Sequence, residues 1–122
     1  MQQLYYVLDL HDDPALIAEY EHWHRPENVW PEIVHSLQAA GVHDLEIFRA
    51  GNRLVLVMTV PKDFSAERKA AADAADPRVQ AWEALMWRFQ QALPFARPDE
   101  KWVPMTPLFS LEAALKHRPD PS

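Results

Sequence analysis

An α+β domain of the ferredoxin-like kind, with the order β-α-β-β-α-β and a four-stranded antiparallel sheet, is what this 122-residue sequence predicts. Three observations predict it. Strand-like apolar runs occur at residues 4–10, 42–49 and 53–60. Asp13-Pro14 and Asp76-Pro77 each open a helical stretch, one after the first run and one after the third. Ala50-Gly51-Asn52 is a turn that makes the second and third runs a hairpin. Helices on one face of such a sheet leave the other bare, and a bare face needs a cover. A homodimer closing two sheets on each other as an α/β barrel is the expected cover.

The elements follow in order. Leu4 to Leu10 is a strand closed by His11-Asp12-Asp13-Pro14. Leu16, Ile17, Tyr20, Trp23 and His24 then share one face at helical spacing. Pro26 disfavours helical geometry at Arg25 and interrupts that helix. A second helix runs from Pro31 with Ile33, Val34 and Leu37 as its stripe, and ends at the left-handed cap Gly41. Along Val42 to Arg49 the residues alternate, with His43, Leu45 and Ile47 opposite Asp44, Glu46 and Phe48. Leu54 to Val60 is almost continuously apolar, which predicts a central strand covered on both faces.

Phe64 to Ala75 reads as an exposed helix, and Asp76-Pro77 starts another that runs to about Leu93. Its buried stripe is Val79, Trp82, Leu85, Met86 and Phe89. Residues 94–104 are irregular, and Leu108-Phe109-Ser110-Leu111 reads as the last strand. One domain therefore spans residues 1–112, and residues 113–122 are a polar, frayed tail.

Bulk properties remove several function classes. A net charge of -6 argues against a nucleic-acid or anionic-membrane partner. The absence of cysteine removes disulfides, thiol catalysis and thiolate metal sites. The first ten residues lack a basic start and are too short for a membrane span, which makes the cytoplasm the default location. Glycine-rich phosphate loops are absent, and the histidines do not fall in a metal-binding spacing. The expectation is thus no metal, no cofactor and no membrane.

The stretch from Tyr20 to Ile33 is where chemistry concentrates. Tyr20 and His24 lie one helical turn apart, so both aim the same way, and histidine exchanges protons near neutral pH. Spacing alone also fits a core tyrosine and a capping histidine. Trp30-Pro31-Glu32 is equally a helix restart and a pocket wall. Asp44 and Glu46 share a strand face, either as an acid–base pair or as a solvated edge. Trp82 fits the core by periodicity, and Glu83 points elsewhere on a regular helix.

Taken together, Tyr20-x-x-x-His24, Val29-Trp30-Pro31-Glu32-Ile33, Leu37, Gly41 and Ile47-Phe48 resemble the L-rhamnose mutarotase family. Trp82 with Met86, Trp102-Val103-Pro104-Met105 and Leu108-Phe109-Ser110-Leu111 extend the likeness over roughly residues 3 to 112. The resemblance implies a dimeric ferredoxin-like fold that interconverts the α and β anomers of a 6-deoxy-hexose without metal or cofactor. It implies a proton donor at His24 and sugar contacts at Tyr20 and Trp82, and it makes Trp30 a candidate contact. Leu45 stands where the family has a sugar-binding tyrosine, and Glu83 where it has a second tryptophan. A short insertion also separates His24 from Trp30. These departures touch the pocket, place Leu45 and Glu83 among its candidate residues, and favour L-fucose over L-rhamnose as the monosaccharide. The second acid–base group stays open among Tyr20, Asp44, Glu46 and Glu83. The competing expectation is a cofactor-free oxygenase or small-molecule binding module on the same dimeric fold.

Overall fold

The computed structural model describes residues 1–117. The elements are β1 (Gln2–Leu10), α1 (Pro14–Trp23), α2 (Pro31–Ala39), β2 (Asp44–Ala50), β3 (Arg53–Val60), α3 (Ala66–Ala75), α4 (Pro77–Trp87), β4 (Gln90–Gln91), β5 (Val103–Pro104) and α5 (Leu111–His117). The sheet is antiparallel in the order β2-β3-β1-β4, with β5 also paired to β1. That is the strand order of the expected ferredoxin-like topology.

Local chemistry sets the helix starts. Asp13 Oδ1 accepts from the backbone N–H groups of Ala15 and Leu16 at 2.9 and 3.1 Å. Asp76 Oδ1 does the same for Arg78 and Val79 at 2.9 and 3.4 Å. Each satisfies donors that a helix leaves unpaired, and the following proline has no N–H to satisfy. Gly41 and Gly51 take φ of +88° and +60° at the two turns that deliver the chain into and out of β2.

The core lies between the sheet and the helices. Leu54, Leu56, Met58 and Val60 of β3 are buried on one face, with Leu8 and Leu10 of β1 beside them. Tyr20, Trp82, Met86 and Phe89 close over this layer. Val55, Val57 and Thr59 alternate onto the other face and are only half-buried. Tyr5 pairs with Val57, and Phe48 with Val55, so both exposed aromatics share that second face. The continuous apolar run of β3 thus marks a central strand, yet within this chain the helices cover one of its faces and not both.

Two expected elements differ. The last long helix stops at Trp87 rather than about Leu93, because Phe89, fully buried, turns the chain into β1. The His11 N–H donates to Phe89 O at 2.9 Å, and Gln90 and Gln91 pair with Leu10 and Asp9. The expected strand at Leu108–Leu111 does not form. Its place on the β1 edge is taken by β4 and by β5, which pairs Val103 with Val7. Ser110 instead begins a helix, its Oγ accepting from the Ala113 N–H at 3.2 Å. Leu108 is 94 % exposed. Within the expected frayed tail, residues 113–117 belong to α5, and 118–122 lie outside the described residues.

Candidate active site

A cavity of about 700 Å³ opens between the sheet and the helices. Its size falls within the range that holds a small ligand. Tyr20, His24, Leu45, Trp82 and Glu83 line it, so five of the six residues expected in the site come together. Asp44 also lines it.

Trp30 is the exception. It stacks behind Trp82 with ring centroids 5.2 Å apart at 67°, rather than on the cavity wall. The Arg78 guanidinium sits 4.2 Å over its ring. Trp30 therefore holds Trp82 in place, because Pro31 restarts the helix right after it and turns its ring inward. Glu46 is exposed and absent from the wall, on the other sheet face, whereas Asp44, which shares that face, reaches the wall from the first residue of β2.

Tyr20 and His24 are set by the end of α1. Tyr20 is 3 % exposed and sits in the last turn, and His24 caps the helix C-terminus. Their rings lie 4.2 Å apart. His24 Nδ1 lies 2.8 Å from the Tyr20 carbonyl oxygen. A carbonyl only accepts, so Nδ1 carries the proton and Nε2 is left with its lone pair in the neutral ring. Burial pushes the His24 pKa below its ordinary 6.5, opposed by that same carbonyl. Neutral imidazole is then the resting form near pH 7.

Burial pushes the Tyr20 phenol up to about 12. The nearby Gln90 side chain pulls the other way, and the Glu83 charge adds to the rise. Tyr20 thus stays protonated and offers an O–H. Trp82 is met edge-on by His24 at 5.7 Å and by Trp23 at 6.5 Å, which presents a fixed indole beside the imidazole.

Glu83 does reach the wall. Lys101, from the segment before β5, binds its Oε2 at 2.6 Å and lies 5.1 Å over the Trp87 ring. Lys101, Gln90, Tyr6 and Trp102 are site residues that sequence reasoning did not single out. Three of them line the cavity, and Lys101 holds Glu83. Lys101 and Trp102 come from the irregular segment, where no periodicity marks a facing direction. Among the described residues no group of three or more histidines and carboxylates is arranged to hold a metal ion. No helix among them is long and apolar enough to cross a membrane.

A buried imidazole with its Nε2 lone pair free, a protonated phenol beside it and an indole thus meet in one cavity wall. The family model described as L-rhamnose mutarotase matches residues 3–111.

This chain belongs to the L-rhamnose mutarotase family.

An L-fucose mutarotase of Xanthomonas campestris pv. campestris is 64 % identical over 115 residues, covering 94 % of this chain and 92 % of that protein. The solved L-rhamnose mutarotase FA22100 of Formosa agariphila superposes with a TM-score of 0.65 at 22 % identity, over 91 % of this chain and 99 % of that one. Tetracenomycin F2 cyclase of Streptomyces glaucescens, a type-II polyketide cyclase, shares the fold alone, with a TM-score of 0.59 at 11 % identity over 90 % and 98 % of the two chains. Family and close relative together support sugar mutarotase activity, an isomerisation, for this mutarotase-family chain.

Proposed function

We propose that this protein interconverts the α and β anomers of a 6-deoxy-hexose, with L-fucose preferred and L-rhamnose next. The observation that carries the chemistry is the neutral, carbonyl-anchored His24 in the cavity wall beside Tyr20. The preference for L-fucose rests on likeness to the L-fucose mutarotase and on Leu45 and Glu83 in the wall.

Mutarotation needs a base at the anomeric hydroxyl and an acid at the ring oxygen. In the resting state His24 Nε2 accepts the O1 proton while the Tyr20 hydroxyl donates to the ring oxygen. The C1–O5 bond breaks and the aldehyde forms. The C1–C2 bond then rotates. Closure reverses both transfers: imidazolium returns a proton to the carbonyl oxygen, the C5 hydroxyl attacks C1, and Tyr20 recovers its proton from it. His24 thus accepts in opening and donates only in closure, which reverses, for ring opening, the expectation from the resemblance that it is the acid. General acid–base catalysis of this kind contributes about 10²–10⁴-fold.

Trp82 supplies the face on which the apolar side of the sugar rests. The polar groups set into a largely apolar wall (Tyr20, His24, Asp44, Glu83 and Gln90) support a sugar over the apolar ligand of an oxygenase-like reading. In the same proposal the protein is a homodimer joined through the sheet face that carries Tyr5 and Phe48, and residues 1–112 are the catalytic unit.

Saturation transfer between the anomeric protons of L-fucose and of L-rhamnose tests the activity. Exchange above buffer is expected for both, faster for L-fucose. His24→Ala should lower exchange by roughly 10²–10⁴-fold with an unchanged far-UV spectrum. Full activity in that variant removes His24 from the mechanism.

A further inference from the structure

Gln90 hydrogen-bonds the Tyr20 side chain, yet its amide oxygen is a buried polar atom that the proposed chemistry leaves unused. The residue sits at the start of β4, is 4 % exposed, and lines the cavity next to Tyr20. Its Oε1 is buried without a hydrogen-bond partner, the only buried side-chain polar atom in that state among the described residues. More than nine in ten buried polar groups in proteins are paired, and leaving one unpaired is costly. The chain also places this residue with care. α4 ends three residues before it, Phe89 turns inward, and pairing with Leu10 fixes its backbone. A leucine or methionine would fill the same space without the penalty.

We propose that Gln90 is a specificity-determining residue whose amide oxygen accepts a hydrogen bond from a ring hydroxyl of the bound sugar. The inference rests on the mutarotase reading. Gln90 lines the cavity while its Oε1 is buried, and the terminal amide torsion of glutamine is broad, so a turn about it presents the oxygen to a ligand. The adjacent Tyr20 hydroxyl is the donor at the ring oxygen, so a hydroxyl held by Gln90 fixes the sugar's rotation about the Trp82 face. A site built to pair a hydroxyl rejects the analogue that lacks it, because the protein group is then stranded. Gln90 therefore selects by one hydroxyl, and the Trp82 face accepts any ring of similar shape.

The test compares L-fucose with its 2-, 3- and 4-deoxy analogues on the wild-type protein and on Gln90→Met. Anomeric exchange gives kcat/KM, and ligand-observed NMR titration gives Kd. The wild type is expected to lose about 10-fold or more in kcat/KM for one analogue. Gln90→Met should lose a similar factor on L-fucose and be indifferent to that same deoxygenation. Equal sensitivity of both proteins to every analogue overturns the role of Gln90 and leaves the mutarotase reading standing. A wild type that neither exchanges nor binds L-fucose or L-rhamnose sinks that reading and this inference with it. A Gln90→Met protein whose melting curve is lost is replaced by Gln90→Leu, which also lacks the acceptor and should show the same indifference to that deoxygenation. A Gln90→Leu protein as sensitive to it as the wild type counts against the inference.

Discussion

At the scale of single residues, His24 carries the sharpest consequence. Its folded pKa lies below 6.5 because burial penalises the imidazolium. The neutral ring is the form that accepts the anomeric proton, so activity should fall as acid protonates it. An exchange-rate profile should show an acid limb with its midpoint under pH 6.5, missing in His24→Gln. A midpoint above 6.5 contradicts the burial argument. Stability follows the same sign. Above 6.5 the group is neutral folded and unfolded, and its contribution is fully present. As the pH drops from there towards the lower folded value, the unfolded chain takes up a proton that the folded one resists, and stability declines. That Tyr20 and His24 aim the same way was legible from their four-residue spacing, whereas spacing left their role open and only the family resemblance singled them out. Gln90 was not legible, because the expected helix ran on through it to about Leu93 with Gln90 off the buried stripe, and only the three-dimensional turn at Phe89 takes it out of a helix.

At the scale of elements, α4 is the part that aims the site, since it carries Trp82 and Glu83. Its start depends on one carboxylate. Asp76→Ala should destabilise the protein by about 0.5–2 kcal/mol, read as a lower urea midpoint with an unchanged m-value. A change under a few tenths would mean that helix packing, not the cap, fixes the N-terminus. Helix starts were readable because Asp-Pro is a local signal. The fourth strand was not, for a different reason. It is two short pieces on one edge of β1, and two-residue pairings have no hydrophobic period to detect. Leu108–Leu111 has strand composition, but Ser110 is more useful as a helix cap and the β1 edge is already occupied. Trp30 shows the same limit: its ring could be placed near the pocket from sequence, but not in front of or behind Trp82.

At the scale of the whole molecule, the sheet face opposite the helices is where the proposed homodimer is tested. Tyr5, Val55, Val57 and Phe48 form an apolar set on it, and two of them are exposed in one chain. A stable homodimer joined there should sediment at twice the 14.1 kDa chain mass. Phe48→Asp should shift it to the single-chain mass, because a charge on a closed apolar interface is costly. A wild type that sediments as one chain at micromolar concentration removes the barrel from the proposal. The bare face was foreseeable from topology alone, whereas the route by which the chain closes the opposite edge was not.

That route has a consequence for how such a protein changes. The segment between β4 and β5 leaves the β1 edge and returns to it a few residues along, carrying Lys101 to Glu83 and Trp102 to the cavity on its way back. Both of its anchors are backbone pairings to one strand, indifferent to side-chain identity. Lengthening a tethered segment costs only a slowly growing closure entropy, about 0.6 kcal/mol per doubling. It is a cassette at its exposed positions: descendants of this chain are free to swap length and lettering there, and so its grip on the proposed sugar, while buried Leu93 and the core-packed Trp102 keep it seated on the sheet.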